Sequence, residues 1–339
     1  MLDIIPLNSQ TLSAMKPIYD DFRKVAVQDY GFPEQPLDFN GLMQTHQMGL
    51  VNLYGIYEYP EQRWVGFMMY NREAHGTLDV KVVYLDDSIS TKSALDSLFN
   101  RFLEDAKGWD DWSVASYPML GPRQFEYIRY MTWPGFTPVG QAVVRFDLQD
   151  VLSQAIFEGL KLDPLPEGYH MTTYMPAYER DVTLALAEAF ESSVDALWDP
   201  RFRSLDGMKE CMQFVQSGAY GLFYPNATAV LLNPDKKAVG ACLLNVVSPT
   251  EANIPMIGLL KSERGKKLGQ HLLAHTVRQV INLKRSGQLP IKLVSATVAT
   301  GNLSAVRMYR HIGFQEAFWY PHLFQERNRV MSRRPGQWC

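Results

Sequence analysis

The strongest constraint in this sequence is that it is written twice. Arg63-Trp64-Val65-Gly66-Phe67-Met68-Met69-Tyr70-Asn71 reads like Lys237-Ala238-Val239-Gly240-Ala241-Cys242-Leu243-Leu244-Asn245, with the Val-Gly step and the closing asparagine 174 positions apart. Turn-forming residues and another β-rich stretch, 53–59 and 220–232, precede each copy, which predicts hairpins. Downstream come an apolar strand (78–85; 254–260), a polar loop, an amphipathic helix (93–106; 268–283) and a further strand (112–116; 291–298). A short helix then ends each copy in Gly-Phe, at Gly135-Phe136 and Gly313-Phe314, 178 positions apart. Two matches in nearly the same register, with the same alternation of elements, predict a tandem duplication. The expected fold class is α/β in the α+β sense, each copy a mixed β-sheet flanked by helices.

The segment 161–168 holds two prolines and a glycine and breaks both helical and strand patterns, so the expected domains are 1–160 and 161–339. A chain of 339 residues with 46% apolar content has the material for two cores. The net charge of -3 gives no electrostatic case for nucleic acid or an anionic membrane, so local clusters must carry any anion binding. Cys211, Cys242 and Cys339 are odd in number, scattered and without CxxC spacing, which fits neither a disulfide framework nor a zinc ribbon. The opening residues lack a signal-peptide pattern, and the longest apolar run, around 238–244, is far short of the roughly 20 residues that cross a bilayer. A soluble protein of the reducing cytoplasm is expected.

The most informative stretch runs from Ile257-Gly258-Leu259-Leu260 through Lys261-Ser262-Glu263-Arg264-Gly265-Lys266-Lys267 into Leu268-Gly269-Gln270-His271. A strand enters a basic, glycine-containing loop that opens a helix, so unpaired backbone N-H groups and the positive end of the helix dipole face the loop's mouth. The natural occupant is an anion. Gly265 and Gly269 permit close backbone approach, while Arg264, Lys266 and Lys267 add positive charge. Neither GxxxxGK[ST] nor GxGxxG occurs there, which argues against ATP and NAD. Further on, Asn302 stands at a helix N-cap, Ala305, Met308 and Ile312 share a face with Tyr309 one step round, and Gly313 stops the helix.

The two segments Arg264-Gly-Lys-Lys-Leu-Gly269 and Asn302-x-x-Ala305-x-x-x-Tyr309-x-x-x-Gly313-Phe314, about 40 residues apart, resemble the donor-site motifs of the GNAT acyltransferases. The resemblance covers the second half, from about Tyr169 onward. It implies an acetyl-CoA site and no metal. In it Arg264, Gly265, Lys266, Lys267, Leu268, Gly269 and Gln270 cradle the pyrophosphate, while the backbone at Leu259 and Leu260 runs beside the pantetheine arm. Asn302 contacts that arm and the Tyr309 hydroxyl lies near the thioester sulfur. The family's loop is Arg/Gln-x-x-Gly-x-Gly/Ala; here Lys267 replaces the first of those glycines, so its backbone must reach a glycine-like conformation to offer its N-H.

Acyl transfer to an amine needs an unprotonated nucleophile, a polarised carbonyl and a proton for the thiolate. Tyr309 is the candidate acid, since a phenol near pKa 10 matches a thiol, with core packing as its alternative. Glu251, near the start of the donor strand, is the candidate base on the family pattern, with a solvated turn glutamate as its alternative. The backbone N-H near Leu259 would polarise the carbonyl. Pro255 cannot donate a ladder bond and should mark a strand start or bulge. His271 and His275 lack the intervening Glu of a zinc protease, and no Gly-x-Ser-x-Gly elbow exists. The aromatics Trp109, Trp112, Tyr117, Tyr127, Tyr130 and Trp133 read as core and domain-interface residues, with an aromatic substrate wall as their alternative.

In the first copy Asp86-Asp87-Ser88-Ile89-Ser90-Thr91-Lys92-Ser93 overlies the phosphate loop without a glycine, and Met131 stands at the Tyr309 position. That half is expected to keep the fold and lose the cofactor. An acceptor pocket is expected between the copies, shaped in part by Trp198, Arg201 and Arg203. The reading is a monomeric or homodimeric tandem N-acetyltransferase acting on a primary amine of a small molecule or peptide. Its alternatives are a non-catalytic acyl-CoA-binding or scaffolding protein and a relative with a longer acyl donor.

Overall fold

The computed structural model describes residues 2–28, 38–72, 77–107, 113–116, 123–132, 135–197 and 199–326. Two compact units emerge, residues 1–139 with 320–339, and residues 140–319.

The first unit begins with β1 (Leu2–Pro6), α1 (Ser9–Ala14), α2 (Lys16–Gln28) and α3 (Phe39–Gln47). It continues through β2 (Asn52–Glu58), β3 (Arg63–Arg72), β4 (Thr77–Leu85), α4 (Thr91–Ala106), β5 (Ser113–Ser116) and α5 (Gln124–Thr132). The strands lie in the order β1-β2-β3-β4-β5, all antiparallel except the parallel β4-β5 pair. Residues 323–326 extend this sheet antiparallel to β5. Alternation along the strands buries Leu53 and Phe67 against α1 to α3, and Ile56 and Met68 against α4 and α5, a face that Val65 joins through the register shift opposite Ile56 and Tyr57.

The second unit takes most of β6 (Thr137–Asp147), then α6 (Val151–Glu158), β7 (His170–Thr173), α7 (Glu179–Phe190), α8 (Leu205–Ser217), β8 (Leu222–Phe223), β9 (Ala229–Leu232) and β10 (Ala238–Cys242). It ends with β11 (Asn245–Ser248), β12 (Glu251–Ile254), β13 (Ile257–Leu259), α9 (Leu268–Arg285), β14 (Leu293–Ala299), α10 (Leu303–Ile312) and the start of β15 (Gln315–Glu326). Its strands form two sheets, β6-β14-β12-β11-β8 and β13-β10-β9-β7. Leu272, Leu273, Val277 and Val280 of α9 recur at helical spacing and are buried with Leu231, Val239 and Cys242, whereas Val230, Ala241 and Leu243 pack with α7 and α8.

The repeat seen in the sequence is therefore a repeat of structure: β2, β3, β4, α4, β5, α5 and β6 recur in order as β9, β10, β12-β13, α9, β14, α10 and β15. The segment 160–168 carries no helix or strand, yet the compact units do not divide there. The cut passes through β6 and β15 instead, because Gln141–Asp147 pairs antiparallel with Leu293–Ala299 and the end of β15 pairs with β5. The final strand of each repeat thus completes a sheet built from the other repeat's residues. The expected strand over 254–260 also divides. Pro255 and Met256 fall between β12 and β13, as a residue without an N-H requires. Tyr127 is buried in the first unit's core and the Tyr130 hydroxyl donates to Asp96 at 2.8 Å, while Trp109, Trp112, Tyr117, Trp133 and Trp198 lie outside the described residues. Among the described residues, no helix is long and apolar enough to cross a membrane.

Candidate functional site

The break at Pro255 builds the site. β12 pairs in parallel with β14 up to Ile254 and Ala296, after which β13 leaves for the other sheet and pairs with β10. A gap opens between β13 and the end of β14. The bonds Leu243 N-H to Met256 O and Leu260 N-H to Val239 O, each 2.9 Å, set the alternation of the ladder on either side of the paired residues. Residues 256, 258 and 260 therefore turn their backbone groups toward β10, and the N-H groups of Ile257 and Leu259 point the other way. β13 is an edge strand of its sheet, so those two amides face the gap.

The gap continues into a cleft of about 660 Å³, within the range typical of small-molecule sites. Ile257, Gly258 and Leu259 form one wall, Gly301, Asn302, Ser304, Ala305 and Met308 the other, and the 264–270 loop closes one end. In that loop Gly265 has φ +81° and Lys267, the helix N-cap residue, has φ +59° and ψ +12°. Lys267 thus takes the glycine-like conformation that its place in the motif demands. The N-H groups of residues 265–269 have no acceptor among the described residues. A Cβ on Gly265 would meet nothing within 4 Å, and one on Gly269 would come 3.0 Å from Met308 Sδ, so both glycines leave room at the mouth. Bare amides at the start of an 18-residue helix, beside Arg264 and Lys267, fit a diphosphate.

The basic side chains are already engaged. Arg264 donates to Ala189 O at 3.1 Å, and Lys267 pairs with Asp163 at 2.9 Å across exposed surface. Lys266 turns away from the cleft to Glu263 at 2.8 Å and Tyr169 at 3.4 Å. Burial works to raise the Glu263 carboxyl, but hydrogen bonds from Lys266 and Tyr169 outweigh it and hold the group below its ordinary range. Leu260 also faces elsewhere, toward a groove of about 720 Å³ on another side of α7 with Val239 and Glu188.

α10 carries the second motif as expected at its ends. Asn302 Oδ1 accepts from Ala305 N-H at 3.2 Å, and Gly313 closes the helix at φ +108°, where a Cβ would press 2.9 Å from Ser153 O. Burial divides the expected apolar face. Val306, Tyr309 and Ile312 are buried, while Ala305 and Met308 line the cleft. Tyr309 is only 2% exposed, packs edge-on against Phe314 at 5.1 Å, and is not among the residues lining the cleft. Burial, reinforced by the neighbouring Cys242 thiol, drives its phenol well above the ordinary range, so it stays protonated at neutral pH. Cys242 is the register partner of Ile257, which puts the phenol near the level where β13 begins.

Glu251 is not brought to the cleft. It lies where β12 is still paired with β14, and its carboxylate accepts from Ser295 Oγ at 2.6 Å. Sequence reasoning missed Asp195, which does line the cleft from the turn 194–197. Burial raises the Asp195 carboxyl, and Asp199 pushes in the same direction. Its only sequence signal was a carboxylate in the connection after α7, one of many such residues.

In the first unit the equivalent loop is filled from within. Arg123, at the start of α5, donates to the carbonyls of Asp87 and Ile89 and to Thr91 Oγ1, and lies 3.5 Å from the Asp87 carboxylate. The loop thus carries a guanidinium bonded to its carbonyls, and Asp86 accepts from Ser88, where the second unit's loop has bare amides.

Residues 190–314 match the family model described as the acetyltransferase (GNAT) family. No curated protein matches the chain significantly in sequence. In structure it is similar to a GCN5-related N-acetyltransferase from Sphaerobacter thermophilus, with TM-score 0.66 and 16% identity over 96% of this chain and 95% of that one. It is also similar to a tandem GNAT protein from the clavulanic acid biosynthesis pathway, with TM-score 0.57 and 15% identity over 96% and 98%. A GNAT-family acetyltransferase from Colwellia psychrerythraea follows, with TM-score 0.53 and 12% identity over 96% and 99%. At these identities the likeness speaks for the fold. Taken with the family match, it shows that residues 190–314 form a GNAT-family domain carrying the donor-site motifs, within a chain whose overall fold is similar to that of a tandem GNAT protein.

Proposed function

We propose that the second unit is an N-acetyltransferase that moves an acetyl group from acetyl-CoA directly to a primary amine of a small molecule or peptide. The observation that carries this reading is the opening between β13 and β14, whose outward amides at Ile257 and Leu259 lead into the unpaired amides of 265–269. Acetyl-CoA, when bound, would supply an activated acetyl thioester. The bare backbone N-H groups of residues 265–269 would hold its diphosphate, with Arg264 and Lys267 adding charge, while the Gln270 N-H stays bonded to Lys267 O. The Leu259 N-H would polarise the acyl carbonyl, a donor that costs no reorganisation because the strand fixes it. Asn302 keeps its Nδ2 for the cofactor arm while its Oδ1 caps α10. Tyr309, held protonated, would return a proton to the departing thiolate.

Titration calorimetry of the full chain with acetyl-CoA, followed by free-thiol release with a panel of primary amines, tests the proposal. One site per chain and amine-dependent thiol release are expected; absence of binding would end it. Binding without turnover would favour a non-catalytic acyl-CoA-binding protein, the reading that the burial of Tyr309 supports.

A further inference from the structure

Resting on that donor-site reading, we infer that Asp195 is the base that takes the proton of the acceptor amine. Among the described residues lining the cleft, the ionisable groups are Asp195, Arg264 and Lys267. The two cations belong to the loop that closes one end. Asp195 shares the cleft with Ile257, Gly258 and Leu259, the wall along which the thioester must lie if the diphosphate sits in the loop. An amine arriving as its ammonium ion therefore meets one carboxylate among the described lining residues.

The turn that presents Asp195 is held on several sides. Asp199 N-H donates to Asp195 O at 3.1 Å, and Arg201 grips both Asp199 oxygens, with Nε at 2.9 Å from one and Nη2 at 2.7 Å from the other. The Arg201 guanidinium lies 5.1 Å from the centre of the Phe214 ring on α8. Arg203 donates to Ala196 O at 2.6 Å and to Leu197 O at 3.3 Å. A base must be both positioned and weakly acidic enough to accept a proton near neutral pH. The charged group acting on Asp195 is Asp199 in its own connection, which Arg201 grips; Arg264 and Lys267 line the same cleft but are engaged by Ala189 O and Asp163. Burial is the largest influence on the carboxyl and raises it. Glu251 lacks this placement, being tied to Ser295 at the closed end of β12.

The ammonium gives one proton to the Asp195 carboxylate, which passes it to solvent, and the amine nitrogen bonds to the acyl carbon. As the C-S bond breaks, Tyr309 gives its proton to the thiolate and regains one from the nitrogen as the amide forms.

The test uses the full chain, acetyl-CoA and four probe amines: spermidine, tryptamine, glucosamine and a lysine-containing peptide. Thiol release is followed from pH 5 to 9, and acetyl-CoA affinity is measured separately. For the best probe, Asp195→Asn is expected to lower kcat/KM by about 10²- to 10⁴-fold and to lack the rise of rate with pH expected of the wild type. Acetyl-CoA Kd should stay within about twofold of the wild type, and Asp195→Glu should recover at least about tenfold over the asparagine variant. A melting temperature no lower than wild type excludes unfolding as the cause. An asparagine variant within about threefold of wild type, with its pH limb intact, overturns the role of Asp195 alone. Acetyl-CoA binding without turnover of any probe overturns it too, whereas failure of the wild type to bind acetyl-CoA removes the donor site itself.

Discussion

Gly265 and Lys267, two left-handed residues separated by one position, should respond to substitution with opposite signs. A residue with a Cβ pays roughly 1–2 kcal/mol for left-handed backbone that glycine adopts freely. At Gly265, φ is +81° and the added Cβ meets nothing, so Gly265→Ala introduces that conformational penalty and no clash. A loss of about 1 kcal/mol is expected. Lys267→Gly relieves the same penalty at φ +59° and sacrifices only the ion pair with Asp163, whose side chains are 65% and 73% exposed. Such a pair is worth about 0.5 kcal/mol or less, so a net gain near 0.5 kcal/mol remains. For a unit of this size the shifts in Tm are about 2–4 °C downward and about 1–2 °C upward. Differential scanning calorimetry measures both, and the double variant should fall near the sum. Acetyl-CoA affinity should fall in both, by less than about tenfold in Lys267→Gly, which keeps every backbone amide and loses one cation. A Lys267→Gly variant that melts below the wild type, or a Gly265→Ala variant that melts with it, would refute the assigned loop conformation.

Tyr309→Phe should lower kcat by about 10²-fold while leaving acetyl-CoA affinity unchanged; an unchanged kcat would leave Tyr309 a packing partner of Phe314. Arg123→Ala should destabilise the first unit by about 1.5–3 kcal/mol, because two carbonyls and Asp87 lose a charged donor, yet calorimetry should still count one acetyl-CoA per chain. Asp195→Asn should melt higher than the wild type at pH 7. The native carboxyl holds its proton more tightly than the unfolded one, so wild-type stability falls as pH climbs from the ordinary aspartate range through the raised native value. The gap between the two proteins should close below about pH 4, and a gap that persists there would contradict the shift.

Several features of the site were legible in the chain because they are decided within a few residues. Pro255 lacks an N-H, so a ladder had to stop beside it. The asparagine at 302 and the glycine at 313 bracket a helix of ten residues through capping and a left-handed end. The basic loop before Leu268 exposes amides because every helix start does. The position of Lys267 within the motif required left-handed backbone, and the loop adopts it. The acidic character of the first copy's loop was visible in Asp86 and Asp87, although its contact with Arg123, 36 residues from Asp87, was not.

Other assignments depended on pairings between distant segments. Lys266 and Leu260 sit inside the motif, yet partners at Tyr169 and Val239 turn them from the cleft. Which face of α10 is buried follows from what packs on it, so Tyr309 and Val306 go inward while Met308 lines the opening. Glu251 and Asp195 were equally polar in the sequence; strand pairing keeps one at the closed end of β12, and the Arg201–Asp199 clasp presents the other to the cleft. The duplication, the order of elements and the loop of bare amides before α9 were therefore determined by the sequence itself, since local sterics and hydrogen-bonding capacity act along the chain. The exchange of final strands between the repeats and the membership of the cleft were decided only by the tertiary structure, because they rest on which backbone edges and side chains meet across hundreds of residues, and no local pattern encodes that choice.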